Sequence, residues 1–372
     1  MSTMRDTSRS LQQPFSYSSD VDNVTPRRVV FSPGAFAQVG VEVESLGGTR
    51  CLVISTAGRG AMAERVAALL GSRCAGIHAD AKSHIPIEVV REAQGKIGAL
   101  GVDCMVAIGG GAAIGLAKAI ALETKIPFIV IPTTYSGSEM TGFCGITIDG
   151  VKRMHKSPDM IARTVIYDPE LTLGLPLAVT VPSAMNSLAH CIDALYVSTT
   201  SPIIACAAAE GMRVIVQSLK KVLAAPGDID ARSDLLYGSY LGGAALTGGF
   251  ALQHRLAQLL GGALHLPHAD AHAAVLPYVV AFNASYVPRT DARIAAAFNV
   301  DDAAGGLYDF ARSVGSPLGL RQLGMKESDI DRSVDIVVEN DNGLNPRPLD
   351  RTGLRKLIEA AFEGQRPDSS AL

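Results

Sequence analysis

The sequence predicts an α/β domain followed by an all-helical domain, and the distribution of apolar residues is the basis of this prediction. Short runs rich in Val and Ile alternate with Ala- and Leu-rich segments as far as about residue 178, which is typical of parallel β-α-β units. Beyond that point the helical pattern continues with few strand signals. We therefore divide the 372 residues into a flexible N-terminal arm (1–23), an α/β domain of the Rossmann type (24–178) and an all-helical domain (179–372).

Composition excludes several classes of protein. Hydrophobic residues make up 48% of the chain and charged residues 19%, which indicates a folded globular protein rather than a disordered one. A net charge of -3 provides no general attraction to nucleic acid or to anionic membranes. We see no apolar run that approaches the length of a membrane span and no signal-peptide core near the N-terminus. The six cysteines are scattered without a CxxC pair, so we expect a reducing, cytoplasmic location.

Apolar runs predict the strands of the α/β domain at residues 27–31, 51–55, 74–79, 103–108, 125–131 and 164–167. Helices are predicted from about Ala35, over 62–70, over 87–100 and after the glycines at 109–111. Pro86 suits the first turn of the third helix, because proline is tolerated where no intrahelical N–H bond is needed. A β-hairpin is predicted around Asp149-Gly150, which is a strong turn signal between two apolar segments.

The loop after the fourth strand is a candidate phosphate-binding turn. Val106-Ala107-Ile108 leads into Gly109, Gly110 and Gly111, and helix-forming residues from Ala112 to Lys118 follow. A strand, a glycine turn and a helix in this order let backbone N–H groups at the helix N-terminus meet a phosphate. Glycine suits the turn because it permits positive φ and has no Cβ to hold a phosphate away. The spacing is not GxGxxG, and a tight turn without a ligand explains the local pattern equally well.

Hydroxyl side chains follow two of the predicted strands. Ser55 and Thr56 come after the second strand, whereas Thr133, Thr134 and Ser138 come after the fifth. In parallel sheets, ligands bind at the carboxyl ends of the strands, which is the edge where the glycine loop also emerges. Ser and Thr are also common helix caps. Because two such loops reach one edge, we predict that the α/β domain binds a dinucleotide.

Polar residues of the helical half point to a second site. Asn186 and His190 lie four residues apart on a predicted helix, and His254 and Gln258 repeat that spacing on another. His268 follows fourteen residues after His254. Three histidines with a carboxylate would suit a divalent metal, but Asn186 is a poor substitute for an anion. We expect these three histidines to share a site in the cleft between the domains, and we expect His155 and His265 to be structural.

Four segments together resemble the iron-containing alcohol dehydrogenase family, over residues 28–364. They are Gly-Gly-Gly-Ala-Ala-Ile-Gly-Leu-Ala-Lys from 109, Pro-Thr-Thr-Tyr-Ser-Gly-Ser-Glu-Met-Thr from 132, Met-Asn-Ser-Leu-Ala-His from 185 and Leu-Pro-His-Ala-Asp-Ala-His from 266. The resemblance implies the fold shared with dehydroquinate synthase-like proteins. It places the family's Asp, His, His and His metal ligands on Asn186, His190, His254 and His268. A further family histidine is Gln258 here, and a metal-independent branch of the family shares the Asn, so we expect a vestigial site without a tightly held metal.

The resemblance also implies NADH or NADPH as the cofactor. Its cofactor-binding positions fall on residues of both rim loops and of the hairpin: Ser55, Thr56, Gly109, Gly110, Gly111, Ala112, Thr133, Thr134, Ser138 and Lys152. Ala112 and Gly115 replace a Ser and an Asp of the family pattern. Thr56 stands where relatives often place an Asp against the ribose, and without that charge a 2′-phosphate is not repelled. We therefore expect NADPH to bind as well as NADH.

The reaction implied by the resemblance is the reduction of the carbon–carbon double bond of maleylacetate to 3-oxoadipate, in the degradation of hydroxyquinol- or resorcinol-type aromatic compounds. Without a metal, the enolate that hydride addition produces must be met by protein groups. We expect His254, His190 and His268 to be these groups, with His254 as the proton donor. Such a small dicarboxylate substrate calls for basic side chains, and Arg255 and Arg347 are the candidates.

Two alternatives remain open at this point. One is a metal-dependent alcohol or polyol dehydrogenase of the same fold, with a weak site at the three histidines. The other is a non-redox member of the fold, either a lyase or a nucleotide-binding protein. For each we expect a homodimer, since twofold symmetry is the commonest arrangement, with the first strand as the edge element.

Overall fold

A six-stranded parallel sheet and a two-stranded hairpin carry the first half of the chain. The structure is a computed structural model that describes residues 28–369, so the predicted arm (1–23) lies outside the described residues. The strands are β1 (Arg28–Phe31), β2 (Cys51–Ile54), β3 (Cys74–His78), β4 (Cys104–Gly109), β5 (Phe128–Pro132), β6 (Phe143–Ile148), β7 (Val151–Lys156) and β8 (Thr164–Tyr167). Their order in the sheet is β1-β8-β5-β4-β2-β3, and all neighbours are parallel.

Four helices accompany the sheet, and nine follow it. The first four are α1 (Val39–Ser45), α2 (Gly60–Leu70), α3 (Ile87–Leu100) and α4 (Gly111–Thr124). The described remainder holds α5 (Leu177–Tyr196), α6 (Pro202–Ala224), α7 (Ile229–Ala245), α8 (Leu252–Ala263), α9 (His268–Asn283), α10 (Pro288–Phe298), α11 (Ala303–Ser313), α12 (Ile330–Glu339) and α13 (Arg351–Glu363). Every described strand therefore precedes Leu177, as the sequence predicts.

Three local predictions differ from the structure. The helix expected from Ala35 starts as a 3₁₀ turn, and α1 begins only at Val39. The strand expected from Lys125 begins at Phe128, because Lys125 ends α4 in a left-handed conformation with φ 58°. The hairpin is longer than predicted and spans residues 143–156, but its turn does lie at Asp149-Gly150, where both φ angles are positive.

α6 corrects the expectation that no segment approaches the length of a membrane span. By length and composition this helix could cross a bilayer. It packs instead against α5 and α7, and Ala208, Met212, Ile215 and Leu219 are buried there. α6 is therefore a core helix, and its apolar residues are explained by packing against α5 and α7.

A buried lysine joins the elements that form the rim of the sheet. Lys118 of α4 is fully buried, and its Nζ donates to Ser138 O (2.5 Å), Thr141 Oγ1 (3.0 Å) and Phe143 O (3.1 Å). Burial lowers the pKa of this ammonium to about 8. The lysine thus ties α4 to the loop after β5 and to the start of the hairpin.

Replacing Lys118 by methionine keeps the apolar stem but leaves these three acceptors without their donor. We expect Lys118→Met to lower the free energy of unfolding by roughly 2–4 kcal/mol, since buried acceptors without partners are costly. Urea denaturation measures this change. Lys156→Met, on the exposed side of β7, is the matched control and should change stability by less than about 0.5 kcal/mol. Equal stability of Lys118→Met and the wild type would contradict this account of the rim.

Candidate active site

The predicted cofactor loops emerge side by side at one edge of the sheet. β2, β4 and β5 are adjacent, with Ile54 opposite Ala107 and Gly109 opposite Pro132. The backbone N–H of Thr133 donates to Gly109 O (3.0 Å), which joins the two loops directly. Ser55 continues β2 at the same edge, and its hydroxyl donates to Thr56 O (3.2 Å). The structure therefore brings together the two loops that the sequence assigned to the cofactor.

The N-terminus of α4 is built to accept an anion. Its N-cap is Gly110, which supplies no side-chain hydrogen bond to the first turn, where Gly111 and Ala112 lie. Gly109 has φ 146°, a conformation that favours glycine. A Cβ on Gly110 would lie 3.0 Å from Thr134 Cγ2, whereas one on Gly111 would meet no protein atom within 4 Å. Thr133 Oγ1 is buried without a partner among residues 28–369. These features fit the pyrophosphate of a dinucleotide.

Four histidines from three helices form one cluster. Their ring centroids are 4.9 Å apart for His190 and His254, 4.7 Å for His254 and His272, and 4.7 Å for His268 and His272. The predicted grouping of His190, His254 and His268 is therefore seen in space. His272 was not predicted as a site residue, although it lies one helical turn after His268 on α9.

A buried carboxylate orients the central imidazole. Asp193 Oδ2 accepts the Nδ1–H of His254 (2.7 Å) and the backbone N–H of Ala251 (2.9 Å). Because Nδ1 is engaged, Nε2 is the nitrogen of His254 left for a ligand, and it has no partner in the described part of the chain. Asp193 lies three residues after His190, which is the sequence signal for this arrangement.

The other imidazoles have unused nitrogens as well. His190 Nδ1 and His268 Nδ1 are buried without hydrogen-bond partners within residues 28–369. Burial, followed by the charges of neighbouring histidines, lowers the pKa of His190 and His272 well below the usual value. Burial and then the charge of Lys152 lower the pKa of His268 to about 3. These three rings are neutral at pH 7, so they act through hydrogen bonds rather than as cations.

The cluster does not fit an iron or zinc ion. Asn186 supplies an amide, whose Nδ2 donates to Ser136 O (3.4 Å), in place of an anionic ligand. A metal ion would need several His, Cys, Asp or Glu side chains with ligand atoms close together. Among residues 28–369, one group of three has its ligand atoms within 4.8 Å of one another, and it consists of His78, Asp80 and Glu92. This group lies outside the histidine cluster. The residues present therefore provide neither the anionic ligand nor the converging donor atoms that such an ion needs.

A cleft of about 750 Å³ opens beside the cluster, between the β6–β7 hairpin, α8 and α12. Gly261 lines it, and a Cβ there would lie 3.1 Å from His268 Nδ1. Lys152 and Arg255 also line the cleft. The Arg255 guanidinium lies 5.5 Å from the centroid of the Phe250 ring, and its Nε has no hydrogen-bond partner among the described residues. Arg255 is thus placed where a substrate carboxylate could reach it.

Arg347 is not brought to this cleft. Its Nη1 donates to Phe282 O (3.0 Å), and its guanidinium stacks 3.9 Å from the Phe282 ring centroid and 5.7 Å from that of Tyr286. It therefore packs the end of α9 against the segment before α13. The structure does not support the carboxylate-binding role expected from Asn345-Pro346-Arg347-Pro348, because the guanidinium is committed to these neighbours.

The chain belongs to the iron-containing alcohol dehydrogenase family. Residues 26–169 match the iron-containing alcohol dehydrogenase domain, and residues 180–362 match the C-terminal domain of the Fe-containing alcohol dehydrogenase family. The predicted fold class and family are thus confirmed, and the protein is an oxidoreductase of a family that uses a nicotinamide nucleotide.

Similar proteins include two maleylacetate reductases and one solved structure. The enzyme of Burkholderia cepacia is 47% identical over 341 residues, which are 91% of this chain and 97% of that one. The enzyme of Rhizobium sp. strain MTP-10005 is 43% identical, over 96% of this chain and all of its own. The crystal structure of maleylacetate reductase from Agrobacterium tumefaciens has a TM-score of 0.90 at 42% identity and covers 95% of this chain and 100% of that one.

A methyl group at Gly111 should test the cofactor loop. Gly111→Ala adds a Cβ that meets no protein atom, so we expect unchanged thermal stability. If a pyrophosphate lies against this turn, the Kd for NADH should rise about tenfold or more. Isothermal titration calorimetry measures the Kd. Gly95→Ala, in open space on α3, is the control and should bind NADH as the wild type does. Wild-type affinity in Gly111→Ala would place the cofactor elsewhere.

Proposed function

We propose that this protein reduces the carbon–carbon double bond of maleylacetate to give 3-oxoadipate, with NADH or NADPH and without a tightly bound metal. The observation that carries the proposal is Asn186 within an otherwise complete histidine cluster. It occurs in a chain 47% and 43% identical to maleylacetate reductases over nearly their whole lengths. The amide replaces the family's anionic ligand, while His190, His254 and His268 remain together.

The side chains of the cluster suit the reduction of an alkene conjugated to a ketone. When bound, NAD(P)H supplies the hydride. The negative charge that develops on the ketone oxygen must be stabilised by hydrogen-bond donors. His190 and His268, whose Nδ1 atoms have no partner among residues 28–369, are neutral donors of this kind. Their burial excludes water, which strengthens each hydrogen bond.

His254 is proposed as the proton donor. Asp193 accepts from its Nδ1, so the proton that the ring gives to the substrate is carried on Nε2. That proton passes to the substrate carbon next to the ketone, and the ring is reprotonated from solvent through the cleft. Asp193 therefore orients the ring, while Arg255 is available to bind a carboxylate of the substrate.

The proposal is tested by following NADH and NADPH oxidation with maleylacetate. We expect turnover with both cofactors and one 3-oxoadipate formed for each nucleotide oxidised. Primary alcohols and polyols with NAD⁺ or NADP⁺ are the comparison substrates, and they should give negligible turnover. Turnover confined to the alcohols would indicate an alcohol dehydrogenase. Nucleotide binding without turnover of either class would indicate a non-redox member of the fold.

Removal of the His254 imidazole should affect the chemical step and leave nucleotide binding intact. We expect His254→Ala to lower kcat by roughly 10²–10⁴, the usual contribution of a positioned general acid. The Kd for NADH should stay within about twofold, because the ring belongs to the histidine cluster of the helical half and not to the loops at the edge of the sheet. Stopped-flow kinetics and calorimetry measure the two quantities. His155→Ala, on β7 and outside the cluster, should retain full turnover. A fully active His254→Ala would remove this residue from the mechanism.

We further propose a cytoplasmic homodimer that contacts small molecules rather than nucleic acid or membranes. β1 lies at an edge of the sheet and pairs with β8 alone among the described strands. Its free side can pair with a second copy by strand addition. The net charge of -3 supports the absence of a general attraction to polyanions.

A further inference from the structure

The outer part of the cleft is basic. His84, Lys152, Arg255 and His265 line it, and no Asp or Glu does so among the described residues. His84 and His265 are exposed, whereas Lys152 is partly buried. His265 was expected to be structural, and the sequence did not single out His84. Both histidines instead present imidazoles to solvent at the entrance to the cleft.

The backbone at both histidines is in the left-handed region. His84 has φ 62°, the following Ile85 has φ 47°, and His265 has φ 55°. Residues other than glycine rarely adopt these angles, and for a β-branched residue such as Ile85 they are exceptional. Such conformations are unfavourable and persist where the surrounding structure holds them, often at ligand-binding positions.

Contacts to the hairpin and to α4 hold the His84 segment in place. Thr147 donates its backbone N–H to Ile85 O (3.0 Å) and its hydroxyl to His84 O (2.7 Å). The Ile85 side chain packs against Gly115, where a Cβ would collide with Ile85 Cδ1. The glycine at 115, which replaces an Asp of the family pattern, therefore gives Ile85 the space that holds His84 at the cleft.

The basic groups face one another across a common space. Burial lowers the pKa of His84, and the charges of Lys152 and His265 lower it further. Lys152 lies directly across the hairpin from Thr147, so it is next to the strand that holds His84. A bound anion would relieve the mutual repulsion of these groups, and each imidazole could donate a hydrogen bond to it.

We propose that His84 and His265 bind the substrate carboxylate beyond the ketone, remote from the reacting double bond, and so select dicarboxylates. This inference rests on the proposed function. The glycine turn at the sheet edge fits the phosphates of a nucleotide, whereas the two histidines line the same cleft as Arg255, the candidate for the other carboxylate. Lys152, for which a cofactor contact stays a prediction, lines the same cleft and adds positive charge near them.

The test compares His84→Gln, His265→Gln and the double variant with the wild type. Both histidines are exposed, so the variants should fold normally. We expect each single change to raise the KM for maleylacetate about tenfold, as for the loss of one hydrogen bond to a charged group, with kcat changed less than about threefold. The Kd for NADH should not change. His155→Gln is the matched control and should behave as the wild type.

A second substrate locates the contact. The second substrate is the monomethyl ester of maleylacetate in which the carboxyl group beyond the ketone is esterified. That group then carries no charge. The wild type should prefer the diacid by at least about tenfold in kcat/KM, and the double variant should lose this preference. The proposal would be overturned if the variants had the KM of the wild type. It would also be overturned if the double variant preferred the diacid as strongly as the wild type does. A raised Kd for NADH with an unchanged KM would instead assign the histidines to a phosphate of the nucleotide.

Calorimetry with 3-oxoadipate separates this inference from the proposed function. If the wild type turned over no maleylacetate but bound 3-oxoadipate through the two histidines, the proposed reaction would be wrong and the carboxylate site would stand. If the wild type turned over maleylacetate and the variants matched it in both assays, only the carboxylate site would be wrong. Neither turnover nor binding in the wild type would overturn both.

Discussion

The active site depends on a backbone contact between two glycines. The loop after β5 meets α7 at Gly137 and Gly243, where a Cβ on Gly243 would collide with Gly137 O. A Cβ on Gly137 would also lie 3.1 Å from His190 Nδ1. No side chain separates the loop from the helix, so the cofactor edge of the sheet and the histidine cluster are in direct contact. Larger residues at either position would separate the two halves of the site.

Buried polar groups beside this contact fix its geometry. Ser239 donates to Tyr135 O (2.5 Å), and the fully buried Arg232 donates to Tyr135 Oη and to Thr180 Oγ1, each at 3.1 Å. These bonds join the rim loop to α5 and α7, the helices next to the histidines. Because interiors are close-packed and buried polar groups need partners, the arrangement has little freedom to shift. Reacting groups held in this way lose little entropy on reaching the transition state.

Within this frame, the Asp193–His254 pair explains how the cluster can work without a metal. In a metal site the ion supplies positive charge to a developing oxyanion. In the mechanism that we propose, the His254 imidazole held by the Asp193 carboxylate gives the proton, and the imidazoles beside it supply hydrogen bonds. Asn186 leaves an ion without the anionic ligand of the family pattern, and Asp193 orients the imidazole that we propose as the acid.

Much of this site could be predicted from the sequence because it depends on residues that lie close together along the chain. The α3 boundaries, the glycine turn before α4 and the grouping of three histidines follow from periodicity and spacing. Asp193 and His272 lie on the same helix faces as His190 and His268. Spacing alone, however, does not show which imidazole the Asp193 carboxylate contacts.

Other features depend on tertiary contacts. Arg347 stands in a polar, proline-rich loop that suggested a substrate contact, yet it stacks on Phe282, which is distant in sequence. The left-handed conformations of His84 and His265 leave no signal in a single sequence, since neither residue is Gly or Asn. The conformation at His84 is held through Thr147 and Gly115, which are brought to Ile85 only by folding.

The most direct test of a metal-independent site is to measure metal content and turnover on the same sample. Protein dialysed against a strong chelator is analysed by inductively coupled plasma mass spectrometry and assayed with maleylacetate and NADH, before and after addition of iron or zinc. Our account predicts full turnover at a metal content far below one ion per chain, with no gain on adding either metal. Turnover that falls with chelation and returns in proportion to bound metal would contradict it.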